Sequence, residues 1–290
     1  MKPAAFRYHR PPTLAAALAL LAEHGEQAKL LAGGQSLVPM MNMRLAQPAE
    51  VVDLNDLSEL ARIALAQDAV EVGALARHRD VAASALVQDR CPLLAEAAAS
   101  IGHDAIRNRG TLGGSLAHAD PVAQLPLVAV TLGAQIDIAG PRGRRSLPAC
   151  EMFVSVMTTA LEPDEIIVAA RFPVRASGEG QAFRAFERRR GDFAIVSVAA
   201  SVTLDGERAS GLRLGIGGVG PVPLTLDALA RDARGAIADD AWARDLGAAA
   251  GAAVAPDDDP RIPAEFRREL VEVLVARAAA DATRRARENR

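Results

Sequence analysis

The chain contains little cysteine and few aromatic residues. Only two of its 290 residues are cysteines, Cys91 and Cys150, and they lie far apart in the sequence. An iron–sulfur cluster or a thiolate zinc site needs several closely spaced cysteines, so the chain is not expected to hold either one. Both are expected to be buried, reduced thiols. Aromatic residues make up 3% of the chain, so an apolar ligand pocket must have mainly aliphatic walls.

Long apolar runs and an excess of one charge are also missing. No run approaches the roughly 20 residues that span a bilayer, and the N-terminal region lacks a signal-peptide pattern, which together predict a cytoplasmic protein without a membrane span. The net charge is only −3, and its even distribution argues against a nucleic-acid partner. His78, His103 and His118 are not spaced as metal ligands on one helix face, so no metal site is expected.

Two glycine pairs are the most informative motifs present. One lies in residues 30–37 (LLAGGQSL), the first glycine segment, and the other in residues 109–115 (RGTLGGS), the second glycine segment. Glycine allows a positive φ and a close backbone approach, and successive amides can then converge on an anion. The hydroxyl groups of Ser36, Thr111 and Ser115 add further donors. Two copies of one pattern predict a phosphate-bearing ligand held from two sides.

Periodicity and capping residues predict three regions, with boundaries at 1–55, 56–174 and 178–290. In the first, Thr13 caps a helix over 14–24 that ends at a left-handed Gly25. Strands are predicted at 28–31, 51–54, 63–65, 69–72, 134–138, 144–147, 165–172, 182–187, 195–204 and 211–216. Further helices are predicted at 93–101, 125–132, 224–231, 241–254 and 264–287, and residues 108–115 are predicted to be a loop. This alternation favours an α+β fold over a doubly wound parallel sheet.

A third glycine-rich motif, residues 215–220 (GIGGVG), fits the dinucleotide-binding pattern G-x-G-x-x-G. Its context does not fit, because Pro221 and Pro223 follow directly and prevent a helix from starting where a pyrophosphate would need one. The motif is therefore predicted to be the glycine-rich end of a strand.

Three ordered motifs resemble those of a known family. Residues 31–45 (LAGGQSLVPMMNMRL), 106–115 (IRNRGTLGGS, followed by Asp120 and Pro121) and 191–194 (GDFA) are similar to segments of the FAD-binding medium subunit of molybdenum hydroxylases, the xanthine dehydrogenase and aerobic carbon monoxide dehydrogenase family. The resemblance extends over essentially the whole chain. It implies a p-cresol methylhydroxylase-type FAD-binding domain of two α/β subdomains (1–55 and 56–174), followed by a C-terminal domain of a small antiparallel sheet and helices (178–290).

The resemblance also implies a cofactor site. Both glycine segments would wrap the FAD pyrophosphate, while Ile101, Ile167 and Phe193 would lie against the cofactor. Gln124 stands where relatives often carry an acidic residue, and Arg184 is the candidate to replace a lysine that many relatives have. The implied FAD-binding residues are Leu30, Leu31, Ala32, Gly33, Gly34, Gln35, Ser36, Leu37, Ile101, Thr111, Leu112, Gly113, Gly114, Ser115, Asp120, Gln124, Ile167, Arg184 and Phe193. No catalytic residue is assigned.

The function implied by the resemblance is electron transfer. In this family a large molybdenum-cofactor subunit hydroxylates the substrate, a small subunit relays electrons through [2Fe–2S] clusters, and FAD in the medium subunit passes them to an external acceptor, in a dimer of heterotrimers. Two other functions stay open from the residues alone. One is a stand-alone flavin-dependent oxidoreductase with its own substrate pocket, and the other is a nucleotide-binding module without redox chemistry.

Overall fold

The computed structural model describes residues 2–289. Its first region is a three-stranded parallel sheet in the order β1–β3–β2. The elements are β1 (Arg7–His9), α1 (Leu14–His24), β2 (Ala28–Leu31), α2 (Leu37–Asn42) and β3 (Glu50–Asp53). Helix α1 packs on one face of this sheet, where Ala17 and Leu21 share a core cluster with Val52. Both β2 and β3 end at the same edge of the sheet, because the two strands run parallel.

The limits of α1 are as predicted, but its last turn differs. Thr13 caps the helix by accepting a hydrogen bond from the amide of Ala16. Gly25 follows the helix with φ +52° and ψ −131°, so its φ is positive as expected while its ψ lies outside the left-handed helical region. Glycine is still the residue suited to this position, since a side chain rarely adopts such a conformation.

The second region is a five-stranded antiparallel sheet in the order β4–β5–β10–β6–β7, with helices inserted between the strands. Its elements are β4 (Ile63–Ala66), β5 (Ala69–Gly73), α3 (His78–Ala83), α4 (Ala85–Arg90), α5 (Pro92–Ser100), α6 (Asp104–Arg107), α7 (Leu112–His118), α8 (Gln124–Leu132), β6 (Gln135–Gly140), β7 (Gly143–Pro148), α9 (Ala149–Met152), β8 (Phe153–Ser155), β9 (Thr158–Thr159) and β10 (Ile166–Pro173). Apolar side chains of α5 and α8 share one buried cluster with those of this sheet, and every residue of α8 is buried.

The third region is a four-stranded antiparallel sheet in the order β11–β12–β13–β14, packed against long helices. Its elements are β11 (Glu179–Phe186), β12 (Val196–Asp205), β13 (Arg208–Gly217), β14 (Leu224–Thr225), α10 (Asp227–Asp232), α11 (Asp240–Ala253) and α12 (Ala264–Glu288). Gly180 lets β11 approach α12 closely, because a Cβ at this glycine would lie 2.0 Å from the carbonyl oxygen of Ala282.

These elements confirm the predicted α+β class, with parallel pairing confined to the first small sheet. Three local predictions were wrong. Residues 224–231 form a short strand and then α10, residues 112–115 of the predicted loop belong to α7, and Cys150 is exposed whereas Cys91 is buried. The glycine-rich run 215–220 ends β13, as predicted. None of the helices within residues 2–289 combines the length and the hydropathy that a transmembrane span requires.

A charged network joins the second and third regions. Glu96 on α5 accepts hydrogen bonds from the backbone amide of Phe183 at 3.1 Å and from the guanidinium groups of Arg184 and Arg285. Arg184 also pairs with Asp281 on α12. One carboxylate of the second region thus receives donors from both β11 and α12 of the third, which fixes the two regions against each other.

Candidate functional site

The first glycine segment forms an open loop at the carboxyl edge of the parallel sheet. It leaves β2 at Leu31 and enters α2 at Leu37, with Gly34 in a positive-φ conformation at +71°. Among the described residues, no backbone amide from Gly33 to Ser36 donates a hydrogen bond to a protein acceptor. Four successive backbone amides at one turn that donate no hydrogen bond to the protein can bind an anion.

The second glycine segment has a different structure from the first. Thr111 is the N-cap of α7, and its hydroxyl accepts a hydrogen bond from the amide of Gly114 at 3.1 Å. The amides of Leu112, Gly113 and Ser115 donate to the carbonyl oxygens of Ala76, Ala74 and Thr111. Neither glycine has a positive φ. The expectation that both glycine pairs form the same open loop is therefore wrong, because the second pair lies in α7 and its amides have acceptors within the protein. The role of the second segment at the cofactor stays a prediction.

Close packing explains the glycines of the second segment. A Cβ at Gly113 would lie 2.6 Å from the Cβ of Ala74, and one at Gly110 would lie 2.8 Å from the Nδ1 atom of His78. The same requirement joins the two segments, since a Cβ at Gly33 would lie 2.3 Å from the carbonyl oxygen of Arg109 and 2.8 Å from the Cα of Gly110. These distances are shorter than atomic contacts allow. The two segments are thus in backbone-to-backbone contact.

A polar clamp, made by Asn55 and Arg77, holds this contact. Asn55 donates from Nδ2 to the carbonyl oxygen of Ala32 at 2.9 Å. Arg77 donates from Nη2 to Oδ1 of Asn55 at 2.6 Å and from Nη1 to the carbonyl oxygen of Arg109. A chain of hydrogen bonds therefore runs from the first glycine segment to the second. Sequence reasoning missed both clamp residues, although Asn55 could have been found because it follows β3 at the edge where β2 ends.

The clamp also brings positive charge to the open amides. Burial and then the neighbouring charge of Arg109 lower the pKa of Arg77 below its ordinary value. The guanidinium groups of Arg77 and Arg109 repel each other, and together they create a positive potential near the free amides that favours an anion. The first glycine segment therefore combines backbone donors with positive charge, which is what a diphosphate requires.

A buried histidine forms a hydrogen bond with the second glycine segment. His78 is 6% exposed, and its Nε2 donates to the carbonyl oxygen of Thr111 at 2.9 Å. Burial lowers the pKa of His78 to about 4, so the ring is neutral at physiological pH. With the proton on Nε2, Nδ1 is a bare acceptor, and it is buried without a hydrogen-bond partner. The histidine spacing in the sequence excludes His78 as a metal ligand and gives no sign of this structural role.

The third motif lies beside the end of α5. A Cβ at Gly191 would lie 2.1 Å from the ring of His103, so the turn that carries the motif rests on that histidine. Phe193 in this turn is 73% exposed, a large fraction for a phenylalanine in a folded chain. Ile101 follows α5 directly and is half-buried against the main core. The structure thus brings Ile101, His103 and the Phe193 turn to one part of the surface.

The loop that follows α7 connects to the third region. The carbonyl oxygen of Pro121 accepts a hydrogen bond from the amide of Gly218 at 3.3 Å. Asp120 uses one carboxylate oxygen to accept from the amide of Val122 at 2.9 Å, which fixes the turn. Gln124, the first residue of α8, is 9% exposed. The loop is therefore held by the Asp120 side chain within it and by the backbone of Gly218, which follows β13.

Two of the predicted cofactor residues have other surroundings. Ile167 on β10 is 5% exposed and belongs to the same core cluster as Leu112 and Leu116. Arg184 uses its guanidinium on Glu96, on Asp281 and on its neighbouring carbonyl oxygen at Phe183. Their roles at the cofactor stay predictions. For Arg184, the partners in the structure indicate a role in joining the two regions.

The fold and these contacts define a protein with an open loop between a small parallel sheet and an antiparallel sheet with inserted helices, followed by a further sheet-and-helix region. A family described as the FAD binding domain in molybdopterin dehydrogenase matches residues 4–175, and the CO dehydrogenase flavoprotein C-terminal domain matches residues 181–282. The chain belongs to the family of FAD-binding medium subunits of molybdenum hydroxylases, which are oxidoreductase subunits. The resemblance found in the three motifs is thereby confirmed.

Individual relatives match over nearly their whole length. The chain is 39% identical to the 6-hydroxypseudooxynicotine dehydrogenase complex subunit alpha of Paenarthrobacter nicotinovorans, over 99% of this chain and 97% of the relative. It is 37% identical to the carbon monoxide dehydrogenase medium chain of Hydrogenophaga pseudoflava, over 96% of this chain and 97% of the relative. A structure of carbon monoxide dehydrogenase from that organism superposes with a TM-score of 0.94 at 37% identity, covering 98% of this chain and 99% of that chain.

The residues present fit FAD, the cofactor of this family. The undonated amides from Gly33 to Ser36 can replace the water around a pyrophosphate, and Arg77 and Arg109 supply nearby positive charge. Exposed Phe193 and half-buried Ile101 offer apolar surface to a flat, largely apolar ring. Backbone donors and apolar walls are thus both available.

Proposed function

We propose that this chain is the FAD-carrying electron-transfer subunit of a heterotrimeric molybdenum hydroxylase. It receives electrons from the [2Fe–2S] clusters of a small partner subunit and passes them through FAD to an external acceptor. The observation that carries the proposal is the open loop from Gly33 to Ser36, whose backbone amides donate no hydrogen bond to the protein. This loop is in backbone contact with the second glycine segment.

The residues of the chain bind and orient the cofactor. The amides of the open loop hold the pyrophosphate, while the clamp of Asn55 and Arg77 keeps the two segments at a fixed spacing. Ile101 and Phe193 provide apolar contact to the ring system, and Gln124 offers an amide side chain where a carboxylate would add negative charge. Bound FAD supplies the redox chemistry, accepting electrons and releasing them to an acceptor.

The chemistry of the substrate belongs to a partner chain. The relatives named above carry different substrates in their names, carbon monoxide in one and 6-hydroxypseudooxynicotine in the other, on the same fold. The two cysteines of this chain cannot ligate a cluster, since burial raises the pKa of Cys91 to about 12 and Cys150 lies alone on the surface. A small subunit with [2Fe–2S] clusters and a large subunit with the molybdenum cofactor complete the assembly, in a dimer of heterotrimers.

The first experiment measures FAD in the purified chain and in its complex. Denaturing the isolated chain is expected to release close to one FAD per chain. In the assembled complex, substrate of the large subunit should reduce the flavin, whereas the isolated chain mixed with the same substrate should keep its flavin oxidised. Chemical reduction of the isolated chain with dithionite controls for flavin that cannot be reduced at all.

The alternative functions predict different results. A stand-alone oxidoreductase would have its flavin reduced by a small organic substrate without any partner. A non-redox nucleotide module would bind a nucleotide with no spectral change on adding dithionite. A chain that neither retains FAD nor rebinds it after removal would contradict the proposal at its first step.

A further inference from the structure

A cluster of metal-ligating side chains lies in the first region. It is formed by His9 at the end of β1, His24 in the last turn of α1 and Glu50 at the start of β3. One ligand atom from each residue lies within 4.8 Å of the others. Two imidazoles and a carboxylate are a donor set that zinc-type divalent ions prefer. Because the three residues come from three separate elements, the sequence spacing of histidines gives no sign of the cluster.

The parallel strand pair explains why these side chains meet. Arg7 lies opposite Glu50 and His9 lies opposite Val52, and residues two apart on a strand point to the same face. The side chains of His9 and Glu50 therefore share the face that α1 covers, as the 2.7 Å contact between His9 Nε2 and Glu50 Oε2 confirms. The last turn of α1 delivers His24 to the same place. The rings of His9 and His24 have centroids 5.6 Å apart.

The charge that offsets Glu50 lies on an exposed side chain that can leave the cluster. Glu50 is 1% exposed, and its carboxylate accepts hydrogen bonds from the guanidinium of Arg7 and from Nε2 of His9. The guanidinium of Arg7 supplies the compensating charge, yet the Arg7 side chain is 72% exposed and can move into solvent. The last turn of a helix carries a partial negative charge, which adds attraction for a cation at His24.

From this geometry we propose that His9, His24 and Glu50 bind a divalent transition-metal ion of the zinc type. Zinc lies about 2.0–2.1 Å from imidazole nitrogen and about 2.0–2.2 Å from carboxylate oxygen, so the ligand atoms need only small side-chain movements to close around it. Arg7 leaves Glu50 when the ion binds, and water takes a fourth position. This site revises the expectation from sequence that the chain has no metal site.

The cluster is accessible and separate from the FAD site. A surface cleft of about 540 Å³ is lined by His9 and by Glu23, the residue before His24. The side chains of His9 and His24 are 26% and 15% exposed, so solvent reaches both imidazoles. Glu50 is opposite Ala28 at the start of β2, whereas the first glycine segment continues beyond Leu31 at the other end of that strand. Three residues of strand separate the two positions by about 10 Å. Loss of the ion should therefore leave the FAD content unchanged.

The test uses the FAD-loaded full chain and zinc in competition with a chromophoric chelator. One zinc per chain is expected. His9→Ala and His24→Ala should each weaken binding by about 100-fold or more, because even loss of an outer partner of a metal ligand costs about 10–100-fold. His118→Ala, which removes a histidine outside the cluster, should leave binding unchanged. The FAD content of all variants should stay at one per chain.

Two further measurements distinguish a metal site from a hydrogen-bonded cluster. Arg7→Ala removes the group that competes for Glu50, so it should tighten zinc binding, whereas a purely structural role for Arg7 predicts no change in affinity. Cobalt added to the metal-free chain should give the visible d–d absorption bands of a tetrahedral ion, and these bands should be absent in His24→Ala. Binding that is absent in the unaltered chain, or equal in His9→Ala, His24→Ala and His118→Ala, would overturn the proposal.

Discussion

The Cα of Gly33 faces the carbonyl oxygen of Arg109 so closely that a Cβ at Gly33 would lie 2.3 Å from that oxygen. The atom in the way belongs to the backbone and cannot rotate aside as the tip of a side chain could. Glycine at position 33 is therefore required by the contact between the two glycine segments, in addition to any requirement of the cofactor. A substitution here changes the spacing of the site before any ligand arrives.

Gly33→Ala is expected to reduce FAD binding without unfolding the chain. Relieving the clash costs about 1–3 kcal/mol of overpacking, and part of that cost appears as a separation of the two segments. Because each 1.4 kcal/mol corresponds to about a factor of ten in affinity, the FAD dissociation constant should rise by about 10-fold or more. The FAD content is measured as FAD released per chain on denaturation, and the dissociation constant by fluorescence titration of the FAD-free chain.

Gly220→Ala is the matched control for this prediction. A Cβ at Gly220 would meet its nearest neighbour, the carbonyl oxygen of Val222, at 3.8 Å, and its φ is not positive. This variant should bind FAD as the unaltered chain does. Equal FAD affinity in Gly33→Ala and Gly220→Ala would show that the contact between the segments does not shape the site.

Two substitutions of Arg77 separate the geometry of the clamp from its charge. Lysine keeps the positive charge but cannot donate to Asn55 and to the carbonyl oxygen of Arg109 with one planar fork. Arg77→Gln loses the charge as well. If the clamp acts mainly through geometry, both variants should weaken FAD binding by a similar factor, about 10-fold for the loss of one charge-assisted hydrogen bond of about 1.5–3 kcal/mol.

Titrations of FAD at low and high salt separate the two contributions. A smaller loss in Arg77→Lys than in Arg77→Gln, removed by high salt, would assign the effect to charge. Asn55→Ala combined with Arg77→Lys should be no worse than either change alone, since both break the same chain of hydrogen bonds. Fully additive losses would contradict the clamp.

The sequence was sufficient to predict the class of the fold and the first glycine loop. Local signals decide those features: Thr13 caps α1, and the glycine pair at Gly33 and Gly34 interrupts a strand pattern. The second glycine pair, Gly113 and Gly114, has a similar local sequence but a different structure. Its amides find acceptors at Ala74 and Ala76, and such tertiary partners cannot be recognised from a seven-residue motif.

The roles of polar side chains were harder to predict, because they depend on distant partners. The cofactor role of Arg184 stays a prediction, and its pairing with Asp281, which lies 97 positions further along the chain, gives no signal in the local sequence. The cluster of His9, His24 and Glu50 was missed because it depends on a parallel strand register. Sequence periodicity identifies faces and elements, whereas contacts between elements require the folded structure.

The pKa of His78 predicts how stability depends on pH. Burial lowers this pKa from 6.5 to about 4, so between these values the unfolded chain binds a proton that the folded chain does not. The free energy of unfolding therefore falls as the pH is lowered through this window. At 1.36 kcal/mol per pKa unit, this residue should account for about 2 kcal/mol of lost stability at pH 5 relative to pH 7.

Denaturant unfolding of His78→Gln at pH 7 and pH 5 tests this expectation. Glutamine can donate to the carbonyl oxygen of Thr111 but does not titrate, so this variant should lose less stability on acidification than the unaltered chain. His118→Gln controls for the removal of any histidine. The same acid sensitivity in both variants would mean that His78 is protonated in the folded state at pH 5.

Glu96 is expected to couple the unfolding of the second and third regions. Its carboxylate accepts from the amide of Phe183 at 3.1 Å and from Nη1 of Arg285 at 2.7 Å, and the hydrogen bond with Glu96 raises the pKa of Arg285. Glu96→Ala leaves both donors without this acceptor. Since the ion pair is only partly buried, the loss should be about 1–3 kcal/mol rather than the larger cost of a fully buried pair.

Differential scanning calorimetry should then resolve two transitions in Glu96→Ala where the unaltered chain gives one, because the two regions lose a contact that joins them. Glu269→Ala removes an exposed carboxylate from α12 and should change stability by less than about 0.5 kcal/mol. If Glu96→Ala unfolds in a single transition with an unchanged midpoint, the core contacts between the regions hold them together without this network.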